Sequence, residues 1–80
     1  MLQTLEFLKD GEELLLVGIE QGYEASVVVW KLIEDEVKDV AYLPSFFMDK
    51  FVDSKVNKNC LWTLEEGGIL KCTHVRTLLS

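Results

Sequence analysis

Two stretches centred on tryptophan share one pattern, and this pattern constrains the fold of the 80-residue chain more than any other feature. They are VVVWKLIEDEV (27–37) and NCLWTLEEGGI (59–69), which align Trp30 with Trp62 at an offset of 32 residues. Each places β-branched and aromatic residues before an acidic or glycine-containing segment, as in a strand that ends in a turn. The repeat therefore predicts one β-hairpin used twice and requires no shared chemistry.

The register of the first hairpin follows from the chemistry of its opposed side chains. A three-residue loop at 34–36 makes every opposed pair compatible, whereas a two-residue loop places Lys31 opposite Lys38. The predicted pairs are Ile33–Val37, Lys31–Asp39, Trp30–Val40 and Val28–Tyr42.

The second hairpin gives the same register independently. With a three-residue loop at 66–68, Gly68 occupies the left-handed position that such loops need. The predicted pairs are Leu64–Leu70, Trp62–Cys72 and Cys60–His74 on an apolar face, and Thr63–Lys71 and Leu61–Thr73 on a mostly polar face. Because the apolar face of a half-buried sheet packs on the core, we expect both indoles to be largely buried.

The remaining segments predict two further strands and one helix. Asp10-Gly11 is a hairpin signal between strands at 2–9 and 13–20, although 2–9 could also form a short helix that ends at Gly11. Pro44 ends the strand at 39–43, and Ser45 can cap a helix over about 46–56. The apolar residues that recur there at helical spacing are Phe47, Met48, Phe51, Val52 and Val56.

These elements predict an α+β fold that is mainly β. We expect an antiparallel meander sheet of five or six strands, with the amphipathic helix at 46–56 packed on one face of the sheet. The length of the chain favours a single globular domain over residues 1–80.

The segment FLKDGEELLLVGIEQGYEASVVVWKL (7–32) resembles part of a WD-repeat propeller blade. The resemblance lies in Phe-x-x-Asp-Gly, an apolar strand, and then Val-x-Val-Trp-x-Leu, and it implies a strand–turn–strand unit. The chain departs from that pattern because no Gly-His pair opens a blade, Trp30 is followed by Lys31, and the offset of 32 residues is below the ~40–45 of such repeats. We interpret the resemblance as a shared strand–turn–strand pattern.

The charge of the chain is acidic and uneven. Its net charge is −6, but residues 1–49 carry eleven acids and three bases, net −8, whereas residues 50–80 carry three acids and five bases, net +2. This balance disfavours direct binding of nucleic acid, which requires clustered Lys and Arg. No apolar run approaches the ~20 residues of a membrane span, and the N-terminus lacks the basic start of a signal peptide, so we expect a cytoplasmic protein without a membrane partner.

Groups with catalytic or metal-binding chemistry are few. His74 opposite Cys60, with Cys72 on the same face, is the minimum for thiolate catalysis and supplies three of the four ligands of a closed zinc site. However, the spacing is not Cys-x-x-Cys, and a free cysteine normally packs as a small hydrophobe. The EEGGI segment (65–69) joins strand to strand and so is not a phosphate loop. We expect no enzyme activity, metal, cofactor or disulfide.

Two functions are compatible with this chain. The first is a small acidic, non-enzymatic protein–protein interaction module, in which the last strand (71–80) forms a sheet edge that pairs with another protein or, in a homodimer, with a second copy. The alternative is an acidic inhibitor of phage or mobile-element type, which mimics nucleic acid and blocks the basic channel of a DNA- or RNA-handling enzyme. Solubility alone would also explain the acids. The candidate partner-binding residues are Glu12, Glu13, Glu20, Glu24, Glu34, Asp35, Glu36 and Asp39.

Overall fold

Two antiparallel sheets make up most of the structure, a computed structural model that describes residues 2–10, 13–22 and 24–79. Sheet A has the strand order β1-β2-β3-β4 and sheet B has the order β5-β6-β7. The elements are β1 (Leu2–Asp10), β2 (Glu13–Gln21), β3 (Ala25–Ile33), β4 (Glu36–Leu43), β5 (Phe51–Asn57), β6 (Cys60–Glu65), β7 (Ile69–His74) and α1 (Val75–Leu78). The mainly β, antiparallel meander is confirmed, but it is divided into two sheets instead of forming one.

The core lies between the two sheets. Alternate residues of β2 and β3 point into it and are at most 2% exposed, and sheet B and α1 each cover them with one buried hydrophobic residue. The core residues are Leu15, Val17, Ile19, Val27, Val29, Leu61 and Val75. Their β-branched and leucine side chains suit a pleated, buried surface, which is why these segments form strands.

The first hairpin keeps the predicted register at a distance from its turn. Trp30 lies opposite Val40, and Lys31 lies opposite Asp39, as predicted. Next to the turn the prediction was wrong, because Ile33 lies opposite Glu36 and the turn contains only residues 34–35. Both turn residues have positive φ (53° and 63°), as a type I′ turn requires. A β-bulge then absorbs one residue of β4 and restores the register.

The second hairpin has the predicted register throughout, with Trp62 opposite Cys72, Cys60 opposite His74 and Gly68 in the left-handed region (φ 79°). The face predicted to be buried was wrong. Leu61, Thr63 and Glu65 are buried, whereas Trp62 is 41% exposed. Register depends on the turn, but the buried face depends on which side the other sheet covers, and sheet A covers the side with Leu61.

The predicted helix at 46–56 was also wrong. Residues 46–50 are irregular, and β5 (Phe51–Asn57) pairs with β6. Lys58 and Asn59 both have positive φ (51° and 66°) and form a two-residue turn that joins these strands. Phe47 nevertheless packs against the core, as expected of the helix, with its ring 5.2 Å from that of Phe51.

Two other predictions concern the ends of the chain. Residues 2–9 form a strand and not the alternative helix, with Lys9 opposite Leu14 and Asp10 opposite Glu13. Gly11, on which that hairpin prediction also relied, lies outside the described residues. The last predicted strand (71–80) is interrupted, because β7 ends at His74 and α1 begins at Val75. Within the described ranges, no helix combines the length and apolar character needed to cross a membrane.

Candidate functional site

The cysteine and histidine side chains lie on the surface of sheet B. Cys60 and Cys72 are free thiols, and Cys72 and His74 are exposed. Although Cys72 is exposed, partial desolvation raises the pKa of its thiol, and the neighbouring Cys60 side chain raises it further. A thiol with a raised pKa is a weak nucleophile at neutral pH. Among the residues whose structure is described, no group of three or more His, Cys, Asp and Glu side chains is arranged to hold a metal ion.

The most buried acidic side chain holds the irregular segment 46–50 against sheet B. Glu65 is 1% exposed, and its Oε1 accepts hydrogen bonds from the backbone N–H groups of Met48 (2.9 Å) and Asp49 (2.7 Å). Its Oε2 lies 2.9 Å from Lys71 Nζ, which also donates to the carbonyl oxygen of Phe46 (2.6 Å). The ammonium of Lys71 lies 4.3 Å from the centre of the Phe46 ring, a cation–π contact.

These contacts explain the ionisation of Glu65. Burial, the largest influence, raises the pKa of its carboxyl, but Lys71 and the two backbone N–H groups together outweigh burial, so the pKa is below the ordinary 4.5. A charged carboxylate that accepts this many hydrogen bonds is a structural clamp. We therefore assign Glu65 and Lys71 to the stability of the fold.

Glu13, one of the predicted partner-binding acids, forms ion pairs inside the chain. Its Oε2 accepts a hydrogen bond from Arg76 Nη2 of α1 (2.7 Å), and its Oε1 lies 3.3 Å from Lys31 Nζ of β3. The hydrogen bond from Arg76, and then that from Lys31, hold the pKa of Glu13 below its ordinary value. Glu13 thus joins sheet A to the C-terminal helix.

The other predicted acids are divided between the two ends of sheet A. Residues 34–36 are exposed at the β3–β4 turn, with Glu36 Oε2 3.0 Å from Lys38 Nζ. Asp39 is exposed nearby on β4. Glu20 and Glu24 are exposed at the opposite end, roughly 23 Å along β2 from Glu13 at about 3.3 Å a residue. Glu12 lies outside the described residues. The acids that the structure describes do not form one continuous stripe.

The outward surface of sheet A is apolar and carries Trp30, whose indole was predicted to be largely buried but is only partly buried. We define the outer face of sheet A as the side chains that alternate with the core residues. Cross-strand pairing forms the row Phe7–Leu16–Trp30–Val40, next to which Val28 pairs with Tyr42 and Leu32 with Val37. Phe7, Val37, Val40 and Tyr42 are 50–60% exposed. Exposed large apolar side chains that adjoin one another mark an interaction surface on a soluble protein.

A shallow depression lies where this outer face meets the acidic turn. Its volume is about 380 Å³, and it is lined by Leu14, Leu32, Ile33, Glu34 and Asp35. Leucine walls beside two carboxylates fit a side chain with an apolar stem and a cationic tip, as in lysine.

The outward surface of sheet B is apolar as well. We define the outer face of sheet B as the side of β5–β7 that carries Trp62 (41% exposed), Leu64 and Leu70 (64%). Lys55 of β5 lies opposite Trp62 and is exposed. Because the core lies between sheets A and B, the two outer faces lie on opposite sides of this two-sheet sandwich.

A larger cleft lies between the β2–β3 turn and the segment before β5. It has a volume of about 500 Å³, and its lining includes Glu24, Phe47, Met48 and Lys50. Its charged side chains are exposed, and it is open to solvent. It has no convergent set of buried polar groups of the kind that orients a small ligand.

In comparisons with known proteins, no family model, no curated protein and no solved structure matches this chain.

One signal in the sequence could have revealed the outer face of sheet A. The runs LLLVGI (14–19) and VVVW (27–30) are continuously apolar, whereas a strand with one solvated face alternates apolar and polar residues. Continuous runs are typical of strands that are covered on both faces. In sheet A these runs form the two central strands, β2 and β3.

Proposed function

We propose that this chain is a small, non-enzymatic protein–protein interaction module whose docking surface is the outer face of sheet A. One observation carries the proposal, namely that sheet A is apolar on both faces while sheet B covers only one of them. The two free thiols fit a reducing compartment such as the cytoplasm.

The size of the outer face suits a protein partner. Four strands about 4.8 Å apart, each nine or eight residues long, span a surface roughly 19 Å by 26 Å. Its projected extent is about 490 Å², to which the corrugation of the side chains adds, so it is smaller than the ~800 Å² per partner of a standard interface. Another sheet could cover it in full, whereas a single helix about 10–12 Å wide would cover only part of it.

The distribution of acids indicates the character of the partner. The exposed acids lie at both ends of the apolar face, at 34–36 and at Glu20 and Glu24. A partner with an apolar centre and a basic rim complements this pattern. A nucleic-acid mimic would use the acids alone. It is supported less well, because the acids form no single stripe and Glu13 is engaged with Arg76.

At two of the sheet edges a side chain occupies a backbone N–H group that an added strand would need, which favours docking on a face. On β4 the backbone N–H of Val40 donates to Asp39 Oδ1 (2.9 Å), and on β5 the N–H of Ser54 donates to Asp53 Oδ1 (2.8 Å). Each is an edge strand, and a side chain that accepts from an edge N–H competes with an added strand. The edge of β7 remains a second place where a homodimer could form by strand pairing.

The proposal is tested by comparing the proteins bound by three forms of the chain in extracts of the cells that produce it. The test form carries Val40→Lys and Tyr42→Lys, which place two charges on the outer face at half-exposed positions. The control form carries Ser45→Lys and Asp49→Asn, the same charge change at exposed positions of the segment between the two sheets, away from that face and from its acidic rim. All three should have closely similar thermal midpoints.

We expect at least one protein, which could be a second copy of the chain, to co-purify with the original and control forms and to be lost from the test form. If all three forms capture the same proteins in the same amounts, the outer face of sheet A is not the docking surface. If binding is instead lost when residues 34–36 are neutralised and is kept by the test form, the nucleic-acid mimic becomes the better account.

A further inference from the structure

We propose that the partner is a second copy of this chain, and that copies associate head to tail, with the outer face of sheet A on one copy against the outer face of sheet B on the next. This inference rests on the proposed function, because it uses the same docking surface and names its occupant. It is argued from the shape, charge and size of the two outer faces.

Both faces required for this contact are apolar and outward. The outer face of sheet A presents Val40 and Tyr42 (50% and 59% exposed), and the outer face of sheet B presents Trp62 and Leu70. They lie on opposite sides of one sandwich, so neither can cover the other within the same molecule. Sheets pack face to face at about 10 Å through such alternating side chains.

The balance of charge around the two faces is opposite, although exposed Lys9 and Lys38 also lie on sheet A. Acids lie at both ends of sheet A, at 34–36 and at Glu20 and Glu24, whereas lysines lie at both ends of β5, with Lys50 before it and Lys58 after it. Asp53 and Glu66 also lie near the outer face of sheet B. Residues 50–80 nevertheless carry five bases and three acids, so the net charge of this segment is +2. Stacking sheet A on sheet A would bring acid against acid, so the charges favour contact between unlike faces.

The lysines of sheet B are available for this contact. Among the described residues, the side chains of Lys55 and Lys58 form no ion pair, whereas Lys71 is engaged with Glu65. Lys55 lies beside the exposed indole of Trp62, so it presents an apolar stem and a charged tip together. The depression beside Glu34 has the matching lining.

The geometry determines the kind of assembly. A contact between unlike faces leaves one free face at each end, so copies add successively and either close into a ring or continue as a filament. The smaller face limits the contact, because three strands of about six residues span only roughly 14 Å by 20 Å. That extent, about 280 Å² in projection, is well below the ~800 Å² per partner of a standard specific interface, so we expect association to be weak and to depend on protein concentration.

The test uses two matched variants of the full chain and analytical ultracentrifugation at physiological salt. One variant carries Val40→Lys and Tyr42→Lys on the outer face of sheet A. The other carries Val52→Lys, at the β5 bulge beside the Asp53–Leu64 pair, and Leu70→Lys, opposite Leu64, on the outer face of sheet B. All four positions are at least half exposed and lie on edge strands, and both variants gain the same charge. Circular dichroism and thermal midpoints verify that each variant is folded.

The unmodified chain should show a mass that rises with concentration to more than two copies, and each variant alone should stay monomeric. A mixture of the two variants should form a 1:1 dimer and nothing larger, because each variant supplies one intact face and the blocked faces end the assembly. Raising the salt concentration should weaken this dimer, because screening reduces attraction between exposed opposite charges.

Three outcomes would overturn the inference. The first is a mixture of the two variants that stays monomeric. The second is a sheet B variant that dimerises alone, which would indicate contact between like faces. The third is an unmodified chain that stays monomeric at millimolar concentration. In the last case a different protein that is lost from the sheet A variant would still support the interaction module. If the sheet A variant loses no partner of any kind, the proposed function itself fails.

Discussion

Two adjacent residues of β6, Leu61 and Trp62, should contribute very differently to the free energy of unfolding. Leu61 should contribute more, which is opposite to the order that the sequence predicts. Trp62 is the larger side chain and was expected in the core, but it is 41% exposed, whereas Leu61 is fully buried against sheet A. The comparison of Leu61→Ala with Trp62→Ala therefore tests which face of sheet B is buried.

The magnitude follows from burial. Leu61→Ala removes three buried carbons at about 0.8 kcal/mol each and leaves a cavity between the sheets, so it should cost about 3–4 kcal/mol. Trp62→Ala removes an indole that is already partly in water and whose cross-strand neighbours are Lys55 and Cys72. Its cost should be about 1–2 kcal/mol, below the ~3–5 kcal/mol of a fully buried aromatic residue.

Urea unfolding followed by circular dichroism measures both values. It should be done at low micromolar concentration, so that self-association does not contribute to the stability of Trp62. An 80-residue chain has a total stability of about 4–12 kcal/mol, so Leu61→Ala could leave little folded protein. Leu61→Val is then the milder variant, expected to cost about 1 kcal/mol. A greater loss of stability in Trp62→Ala than in Leu61→Ala would refute the assigned orientation of sheet B.

Three further predictions concern single residues. Because the pKa of Glu65 is lower in the folded chain than its ordinary 4.5, the stability it contributes is present above about pH 4.5 and is lost as the pH falls through the folded value. Glu65→Gln should flatten that decline in urea titrations, and an unchanged slope would contradict the clamp. Asp35→Gly should stabilise the chain by about 0.5–1 kcal/mol, because φ is 63° there and a β-carbon is disfavoured. Glu36→Gly in the adjacent strand, which should destabilise it, is the control. The Oγ1 of Thr63 is buried without a hydrogen-bond partner among the described residues. Thr63→Val should therefore raise the free energy of unfolding by about 1 kcal/mol, measured by urea titration. A lower free energy of unfolding in this variant would mean that the hydroxyl has a hydrogen-bond partner.

Part of the candidate surface could be predicted from the sequence. The continuous apolar runs of β2 and β3 indicate strands covered on both faces. The charges of the exposed turn residues 34–36 can also be assigned from sequence alone. The engagement of Glu13 with Arg76 could not, because the two residues are 63 positions apart and meet only when α1 reaches the end of sheet A.

The sequence by itself determined the two tryptophan hairpins and almost all of their registers. Turn residues and opposed pairs are neighbours along the chain, so the pairing of Trp30 with Val40 and of Trp62 with Cys72 follows from local chemistry. In these two hairpins only the bulge in β4 was not predicted. A two-residue turn followed by a bulge and a three-residue turn give the same register farther along the strands, so the paired side chains do not distinguish them.

Only the tertiary structure decided the conformation of residues 46–56 and the buried side of sheet B. Phe47 and Phe51 have the spacing of a helix face, but Glu65 and Lys71 hold residues 46–50 irregular and leave β5 to complete the sheet. A strand has two faces, and register alone does not select the one that is buried. The side on which sheet A packs makes that selection, through contacts between residues that are distant in the sequence.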